Sequence, residues 1–180
     1  MKTLKEIYSK YAVEGDFGIG DKGMIHSYID QYERLLAPYR NGCTFLEIGI
    51  NQGHSLKMFA EYFHNSKVIG IEIWEGCLNY FKDKDYNCQL IIADATKEVP
   101  ELKDIKFDVI IDDGSHMMND QEATFNILSK QMKKGGIYII EDIINLEVQL
   151  PYFQRMGNPE IIDMRGMKGR FDDVMVIYRF

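Results

Sequence analysis

Short apolar runs alternate with amphipathic stretches along most of this chain. Five of the runs are rich in valine, isoleucine and leucine and have the length of buried β-strands. The predicted strands are 44–48, 67–73, 88–92, 107–112 and 136–141, and the helical stretches between them are 54–63, 75–81, 97–102 and 118–132. Strands that alternate with helices predict a parallel sheet with helices on both faces, because right-handed crossovers leave little alternative.

The two ends of the chain extend this pattern. Residues 2–12 predict a short helix, and apolar residues spaced i, i+3, i+4 and i+7 predict an amphipathic helix over 25–39. After a further helix at 145–156, two strand runs at 160–164 and 173–180 follow each other without a helix between them. Such a pair predicts a hairpin that closes the sheet with an antiparallel strand.

Length, charge and cysteine content limit the classes of function. At 180 residues the chain is most simply one domain, and its net charge of -7 argues against nucleic acid as the main partner, because phosphate binding requires a basic surface. The three cysteines form no CxxC pair, which is typical of a reducing compartment. Since no apolar run has the length of a membrane span, we expect a cytoplasmic protein without a membrane partner. Tyrosines within 25–39 are compatible with a homo-oligomer interface.

A glycine-rich loop contains a literal GxGxxG at Gly18, Gly20 and Gly23. The dinucleotide-binding fingerprint requires a buried strand directly before the glycines, and residues 11–17 do not form such a pattern. We therefore do not expect a nicotinamide cofactor at this loop.

The first predicted strand leads into a turn with a different ligand preference. It carries Glu47, Gly49 and Gly53, followed by Ser55 at the start of a helix. The glycines permit a tight turn and a close approach of backbone to ligand. An acid at the strand end suits a ligand with an amine or a sulfonium better than it suits a pyrophosphate. The pattern E-x-G-x-x-x-G resembles that of class I S-adenosylmethionine-dependent methyltransferases.

The next two strands also end in acids. Glu72 ends the second strand, where a carboxylate can accept both hydroxyls of a ribose, and Ile73 follows it. Asp94 ends the third strand, where we expect it to reach an adenine amine. A single acid at the end of a strand is as often the N-cap of a helix as a ligand-binding residue. Acids at the ends of three successive strands, together with Gly49 and Gly53, favour cofactor binding.

The fourth and fifth strands end in further acids and a histidine. Asp112, Asp113 and His116 follow the fourth strand, and Glu141 and Asp142 end the fifth. One helical crossover separates these two ends, so we expect them to be neighbours in the sheet. Converging carboxylates repel one another unless a cation lies between them, and oxygen ligands suit a hard ion such as Mg²⁺. His116 is then placed as a base, while Asp112 faces the cofactor or supports the turn.

Several segments together resemble the metal-dependent sugar O-methyltransferases of macrolide biosynthesis, the mycinamicin type, and more distantly the cephalosporin-hydroxylase-like proteins. These are 21–23 with His26, Tyr28, Tyr32 and Glu33, then 46–49, 111–116 and 140–142. The resemblance implies a Rossmann-like three-layer α/β sandwich with a seven-stranded, mostly parallel sheet of order 3-2-1-4-5-7-6. It also implies one methyltransferase domain over 1–180, with a helical cap at 1–40 and the catalytic core at 41–180.

The same resemblance implies the chemistry. S-adenosylmethionine and Mg²⁺ would be the cofactors, with Asp113, Glu141 and Asp142 as metal ligands and His116 as the general base beside Asp113. The acceptor would be a hydroxyl of a sugar or another small polyhydroxylated molecule. We expect no counterpart of the large N-terminal extension that shapes the sugar pocket of the macrolide enzymes, so the resemblance does not identify the acceptor.

The sequence is also compatible with two functions of other classes. One is a metal-dependent oxidoreductase on the same scaffold, which a requirement for Fe(II) and oxygen would distinguish. The other is a non-catalytic S-adenosylmethionine-binding module, which would have no use for Asp113, His116, Glu141 and Asp142 together.

Overall fold

A seven-stranded β-sheet is the centre of the computed structural model, which describes residues 2–12, 21–82 and 84–180. The strands are β1 (Thr44–Ile48), β2 (Lys67–Glu72), β3 (Gln89–Ile92), β4 (Phe107–Asp112), β5 (Met132–Ile140), β6 (Glu160–Asp163) and β7 (Val174–Arg179). Their order is β3-β2-β1-β4-β5-β7-β6, which confirms the expected order. Strands β1 to β5 are parallel, and β7 is antiparallel to β5 and β6, as the hairpin prediction requires.

Helices cover both faces of this sheet. The α-helices of the described residues are α1 (Leu4–Tyr11), α2 (Asp21–Met24), α3 (Tyr28–Leu36), α4 (His54–Tyr62), α5 (Met118–Leu128), α6 (Leu146–Met156) and α7 (Arg165–Lys168). Residues Glu75–Phe81 and Pro100–Leu102, predicted as helical, form 3₁₀ turns. Among the described residues, none of these helices is both long and apolar enough to cross a bilayer.

The predicted helix over 25–39 is confirmed for most of its length, because Tyr28–Leu36 form α3 and Ala37–Tyr39 form a 3₁₀ turn. Its first three residues instead form a turn between α2 and α3. The turn is stable because its backbone groups have partners elsewhere: the Ser27 N–H donates to Asp173 Oδ1 at 2.9 Å, and Lys168 Nζ donates to the His26 carbonyl at 2.7 Å. Tertiary hydrogen bonds therefore replace the helical ones that the apolar spacing predicts.

Alternate residues of the strands pack into two separate cores. Phe45 and Val109 face one side, where they join side chains of α3 and α4. Leu46 and Ile110 face the other side, where they join Phe125 of α5 and other apolar side chains. This two-residue period is that of strands buried on both faces, so the three-layer sandwich is confirmed.

Most of the GxGxxG motif lies outside the residues that the structure describes. Gly18 and Gly20 are not among the described residues. Gly23 lies in α2, where a Cβ atom would come within 2.6 Å of the Tyr8 ring. Close packing against Tyr8 therefore accounts for this glycine.

We expect Phe59→Ala in α4 to destabilise the protein strongly. The Phe59 ring is fully buried, packs edge-on against Tyr32 at 5.5 Å between centroids, and lies 4.9 Å from Phe45. Removing it leaves a cavity between α3, α4 and β1, which costs about 3–5 kcal/mol of unfolding free energy. Urea denaturation measures the loss. The exposed Phe171 supplies the control, because Phe171→Ala should change stability by less than about 0.5 kcal/mol.

Candidate active site

A cleft of about 370 Å³ lies along the carboxyl ends of the parallel strands. This is the edge of an open α/β sheet where ligands bind, and the volume is that of a small-molecule site. Eight of the residues singled out in the sequence line it: Gly49, Glu72, Ile73, Asp94, Asp112, Asp113, His116 and Asp142. Ser55 lines an adjoining, smaller cleft between α1 and the start of α4.

Gly49 lets the ends of β1 and β4 touch. Its φ of +78° is in the left-handed region, and a Cβ atom there would lie 2.0 Å from the Asp113 carbonyl oxygen. The Asp113 N–H in turn donates to the Ile48 carbonyl at 2.9 Å. Gly53 also has a φ of +78°, and it directly precedes α4. The turn after β1 therefore requires glycine for both backbone conformation and space.

Glu72 organises two loops of the cleft. Its Oε2 accepts hydrogen bonds from the N–H groups of Ile50 and Asn51, and its Oε1 accepts from those of Ile73 and Trp74. A carboxylate offers about four lone-pair sites, and these four donors use them. A ribose diol would therefore have to share the Glu72 oxygens with the backbone.

Asp94 and Ile73 are at the open end of the cleft. Asp94 Oδ1 accepts from the Thr96 N–H and hydroxyl at 3.0 and 2.6 Å, and its Oδ2 pairs with Lys97 at 2.8 Å. These contacts, led by that with Lys97, lower the pKa of Asp94 to about 2. Ile73 is 71% exposed, so it offers an apolar surface at this end.

Asp112 is a buried residue of the cleft lining, and Glu47 is buried beneath it. Asp112 accepts from the Gly114 N–H and from the Tyr138 hydroxyl, so it supports the turn after β4. Burial raises the pKa of Asp112 to about 7 and that of Glu47 to about 8. Glu47 has no exposed surface and does not line the cleft.

Lys22 of α2 lies among the buried acids at the ends of β1, β4 and β5. Its Nζ is 2.7 Å from Asp113 Oδ2, 2.6 Å from Glu141 Oε2 and 3.8 Å from Glu47 Oε1. Burial raises the pKa of Asp113 and of Glu141, although the ammonium opposes both shifts. The sequence predicts a cation between converging carboxylates at this edge. In the structure the ammonium group of Lys22 lies between them.

His116 and Asp142 face each other across the cleft in unusual backbone conformations. Their φ values are +58° and +55°, which are rare for residues with a Cβ atom and occur preferentially at functional sites. His116 Nε2 lies 3.9 Å from Asp142 Oδ2. Asp113, His116 and Asp142 each offer one ligand atom, all within 4.8 Å of one another. Glu141 is outside this group, with one oxygen bound to Lys22 and the other without a hydrogen-bond partner among the described residues.

A buried polar network supports Asp142 from behind. The Tyr28 hydroxyl donates to Asp142 Oδ1 at 2.5 Å, and the Asp142 N–H donates back to the Tyr28 oxygen. His26 stacks on Tyr28, and its Nδ1 lies 3.5 Å from Asp142 Oδ1 and 3.7 Å from Asp173 Oδ1. These contacts fix the carboxylate of Asp142 relative to the turn that carries it.

Sequence reasoning assigned no role to Lys22 or Asp173. Lys22 was noted only within the Asp-Lys-Gly segment of the resemblance, and Asp173 only as the start of the last predicted strand. The available signal was position, because Lys22 and Asp173 each stand close to an apolar segment. A charged residue that such a segment carries into the interior needs a partner of opposite charge or a hydrogen-bond donor. Their burial itself follows only from the packing of the chain ends on the sheet.

Part of this chain is similar to known methyltransferases. A family model described as a methyltransferase domain matches residues 40–165. A Streptomyces olivaceus protein, 8-demethyl-8-alpha-L-rhamnosyl tetracenomycin-C 2'-O-methyltransferase, is 30% identical over 136 residues, which are 68% of this chain and 35% of that protein. The mycinamicin VI 2''-O-methyltransferase of Micromonospora griseorubida is 28% identical over 135 residues, which are 67% of this chain and 32% of that protein. The chain thus spans about a third of the length of these relatives.

Solved structures include a similar one with ligands bound. It is the MycE methyltransferase from the mycinamycin biosynthetic pathway in complex with Mg, SAH and mycinamycin VI. The two structures have a TM-score of 0.65 and 26% sequence identity, over 78% of this chain and 37% of that chain.

We expect Gly49→Ala to destabilise the protein more than Gly135→Ala. Both glycines have positive φ, so alanine costs about 1–2 kcal/mol of backbone strain at either position. At Gly135 a Cβ atom would meet nothing within 4 Å, whereas at Gly49 it would collide with the backbone of Asp113. The collision adds about 1–3 kcal/mol, because β1 and β4 have to separate at the site. Equal losses in urea denaturation would contradict the close approach at Gly49.

Proposed function

Because the chain belongs to the methyltransferase-domain family, we propose that it binds S-adenosylmethionine in the cleft and transfers its methyl group to a hydroxyl oxygen of a sugar or another small polyhydroxylated acceptor. The observation that carries the proposal is the pair His116 and Asp142, which lie 3.9 Å apart beside the acidic end of β4. A base and carboxylates that converge on one cleft are the groups that hydroxyl methylation requires. The relatives' names, which record O-methylation of a rhamnosyl tetracenomycin and of mycinamicin VI, support a hydroxyl as the acceptor.

The proposed cofactor residues follow the strand ends. Gly49, Gly53 and Ser55 would receive the amino-acid part near the turn after β1, with Glu47 buried below it. Glu72 and Ile73 would border the ribose and Asp94 the adenine, while Asp112 supports the turn between cofactor and acceptor. The continuous lining of the cleft from Gly49 to Asp94 supports this placement.

The side chains fit a divalent ion such as Mg²⁺. Asp113 and Asp142 offer carboxylate oxygens within 4.8 Å of each other, and Glu141 has a buried oxygen without a hydrogen-bond partner among the described residues. Oxygen ligands are those that Mg²⁺ prefers, and it often keeps positions for water or substrate. Asp113 and Asp142 would hold the ion, and Glu141 would border it from the end of β5.

The residues around the acceptor would then act as follows. Mg²⁺, when bound, supplies a positive charge that lowers the pKa of an acceptor hydroxyl, and S-adenosylmethionine supplies an activated methyl group. His116 accepts the hydroxyl proton at Nε2, the nitrogen that faces the Asp142 carboxylate. The negative charge of Asp142 stabilises the imidazolium that forms. The acceptor oxygen, held close to the methyl group, is thereby freed to attack it.

We expect His116→Ala to separate binding from turnover. Isothermal calorimetry should give S-adenosylmethionine affinities within about threefold for the wild type and the variant, because His116 is proposed to act on the acceptor, and a threefold change corresponds to under 1 kcal/mol. Release of S-adenosylhomocysteine with mycinamicin VI or methyl α-L-rhamnoside as acceptor should fall about 10²- to 10⁴-fold.

A surface histidine provides the matched control. His64 is exposed and lies outside the cleft, so His64→Ala should retain both binding and turnover. Absence of S-adenosylmethionine binding to the wild type would refute the proposed function. Full turnover by His116→Ala would refute only the role of the histidine.

A further inference from the structure

Lys22 is an unusual lysine because it is almost completely buried. Its side chain is 4% exposed, and three carboxylates of the sheet edge lie within 4 Å of its Nζ. Lysine is rarely buried to this extent unless its charge is paired, since removing an ammonium from water is costly. Here the charge is paired, because Nζ lies 2.6 Å from Glu141 Oε2 and 2.7 Å from Asp113 Oδ2.

The contacts of Lys22 connect three neighbouring strands. Asp113 follows β4, Glu141 follows β5, and Glu47 lies in β1, on the other side of β4. One ammonium therefore holds the ends of adjacent strands together from α2. Asp113 and Glu141 repel each other in its absence, because Glu141 is buried and Asp113 is only partly exposed, so water screens their charges poorly.

The carboxylate of Asp142 is arranged differently. Its described partners are the Tyr28 hydroxyl, His26 and His116, and Lys22 is not among them. Lys22 therefore neutralises one side of the acidic edge, where Glu141 lies, and leaves the other side, where Asp142 and His116 lie, open to the cleft.

We propose that Lys22 is a positioning residue, a resident cation whose ammonium holds Asp113 and Glu141 in place and directs a divalent ion toward Asp113 and Asp142. The proposal rests on the proposed function, since it concerns the same metal site. Glu141 then acts on the ion through Lys22 and not as a direct ligand while Lys22 is present. Without the ammonium, a divalent ion replaces it between the same carboxylates.

The first test measures thermal stability of the full chain with and without MgCl₂. Without Mg²⁺, Lys22→Met should lower the Tm by roughly 10 °C, because buried carboxylates lose their partner. Mg²⁺ should raise the Tm of the variant by more than twice the shift that it causes in the wild type. Lys133→Met is the matched control: Lys133 pairs with Asp108 at 2.6 Å on a more exposed part of β5, away from the cleft. Its Tm should fall by less than about 4 °C and should not gain extra sensitivity to Mg²⁺.

The second test measures Mn²⁺ affinity by electron paramagnetic resonance of the free ion. Asp142→Asn should abolish detectable binding, whereas Glu141→Gln should weaken it by about tenfold, as for a residue that acts through another. Lys22→Met should bind Mn²⁺ more tightly than the wild type. If Lys22→Met does not fold, the double variant Lys22→Met/Glu141→Gln should restore folding, because it removes the charge of Glu141, the more deeply buried of the two carboxylates within 3 Å of Lys22 Nζ.

Any of three results would overturn the proposal. The first is an equal Mg²⁺-induced rise of the Tm in the wild type and in Lys22→Met. The second is a loss of Mn²⁺ binding in Glu141→Gln as complete as in Asp142→Asn, and the third is failure of the double variant to restore folding.

Failure of the proposed function gives a different result. A wild type that binds neither Mn²⁺ nor S-adenosylmethionine refutes the methyltransferase assignment even if the Lys22→Met and double variants keep their stability pattern without metal.

Discussion

The concentration of buried negative charge at one edge of the sheet constrains the rest of the structure. Parallel strands bring their carboxyl ends to the same edge, and in this chain β1, β4 and β5 each carry an acid there. Burying several carboxylates together is unfavourable unless cations and hydrogen-bond donors accompany them. Lys22 supplies the cation, so the segment that carries it has to reach the middle of the sheet.

That requirement explains how both chain ends are arranged around the cleft. The turn between α2 and α3 donates to Asp173, and Tyr28 binds Asp142. Lys168 of α7 binds carbonyl groups of the same turn, including that of His26. The N-terminal segment, the end of β5 and the C-terminal hairpin are therefore joined by one set of hydrogen bonds. The left-handed backbone of Asp142 is stable because these partners hold it on several sides.

Much of the fold could be predicted from the sequence. The strand runs, the hairpin and the meeting of Asp113 with Glu141 followed from apolar periodicity and from the geometry of a right-handed crossover. The start of α3 at Tyr28, three residues after the predicted start, could not be predicted, because apolar spacing does not reveal that Asp173 and Lys168 bind the turn before it. Similarly, Glu72 was recognised as a strand-end acid, but its four backbone donors come from two loops that only the folded chain brings together.

The sequence by itself determined the strand runs, the parallel sheet with helices on both faces and which residue types stand at the strand ends, since a two-residue side-chain period and right-handed crossovers permit few alternatives. The order of the strands came from the resemblance to a known family. Only the tertiary structure decided how the charges are paired. It grouped Asp113 and Asp142 with His116, and it placed Lys22 against Glu141. The physical reason is that pairing energies depend on distance and burial, and residues about a hundred positions apart acquire both only when the sheet and its cover have formed. The acids at the end of β4 therefore form one part of a charged cluster that Lys22 completes.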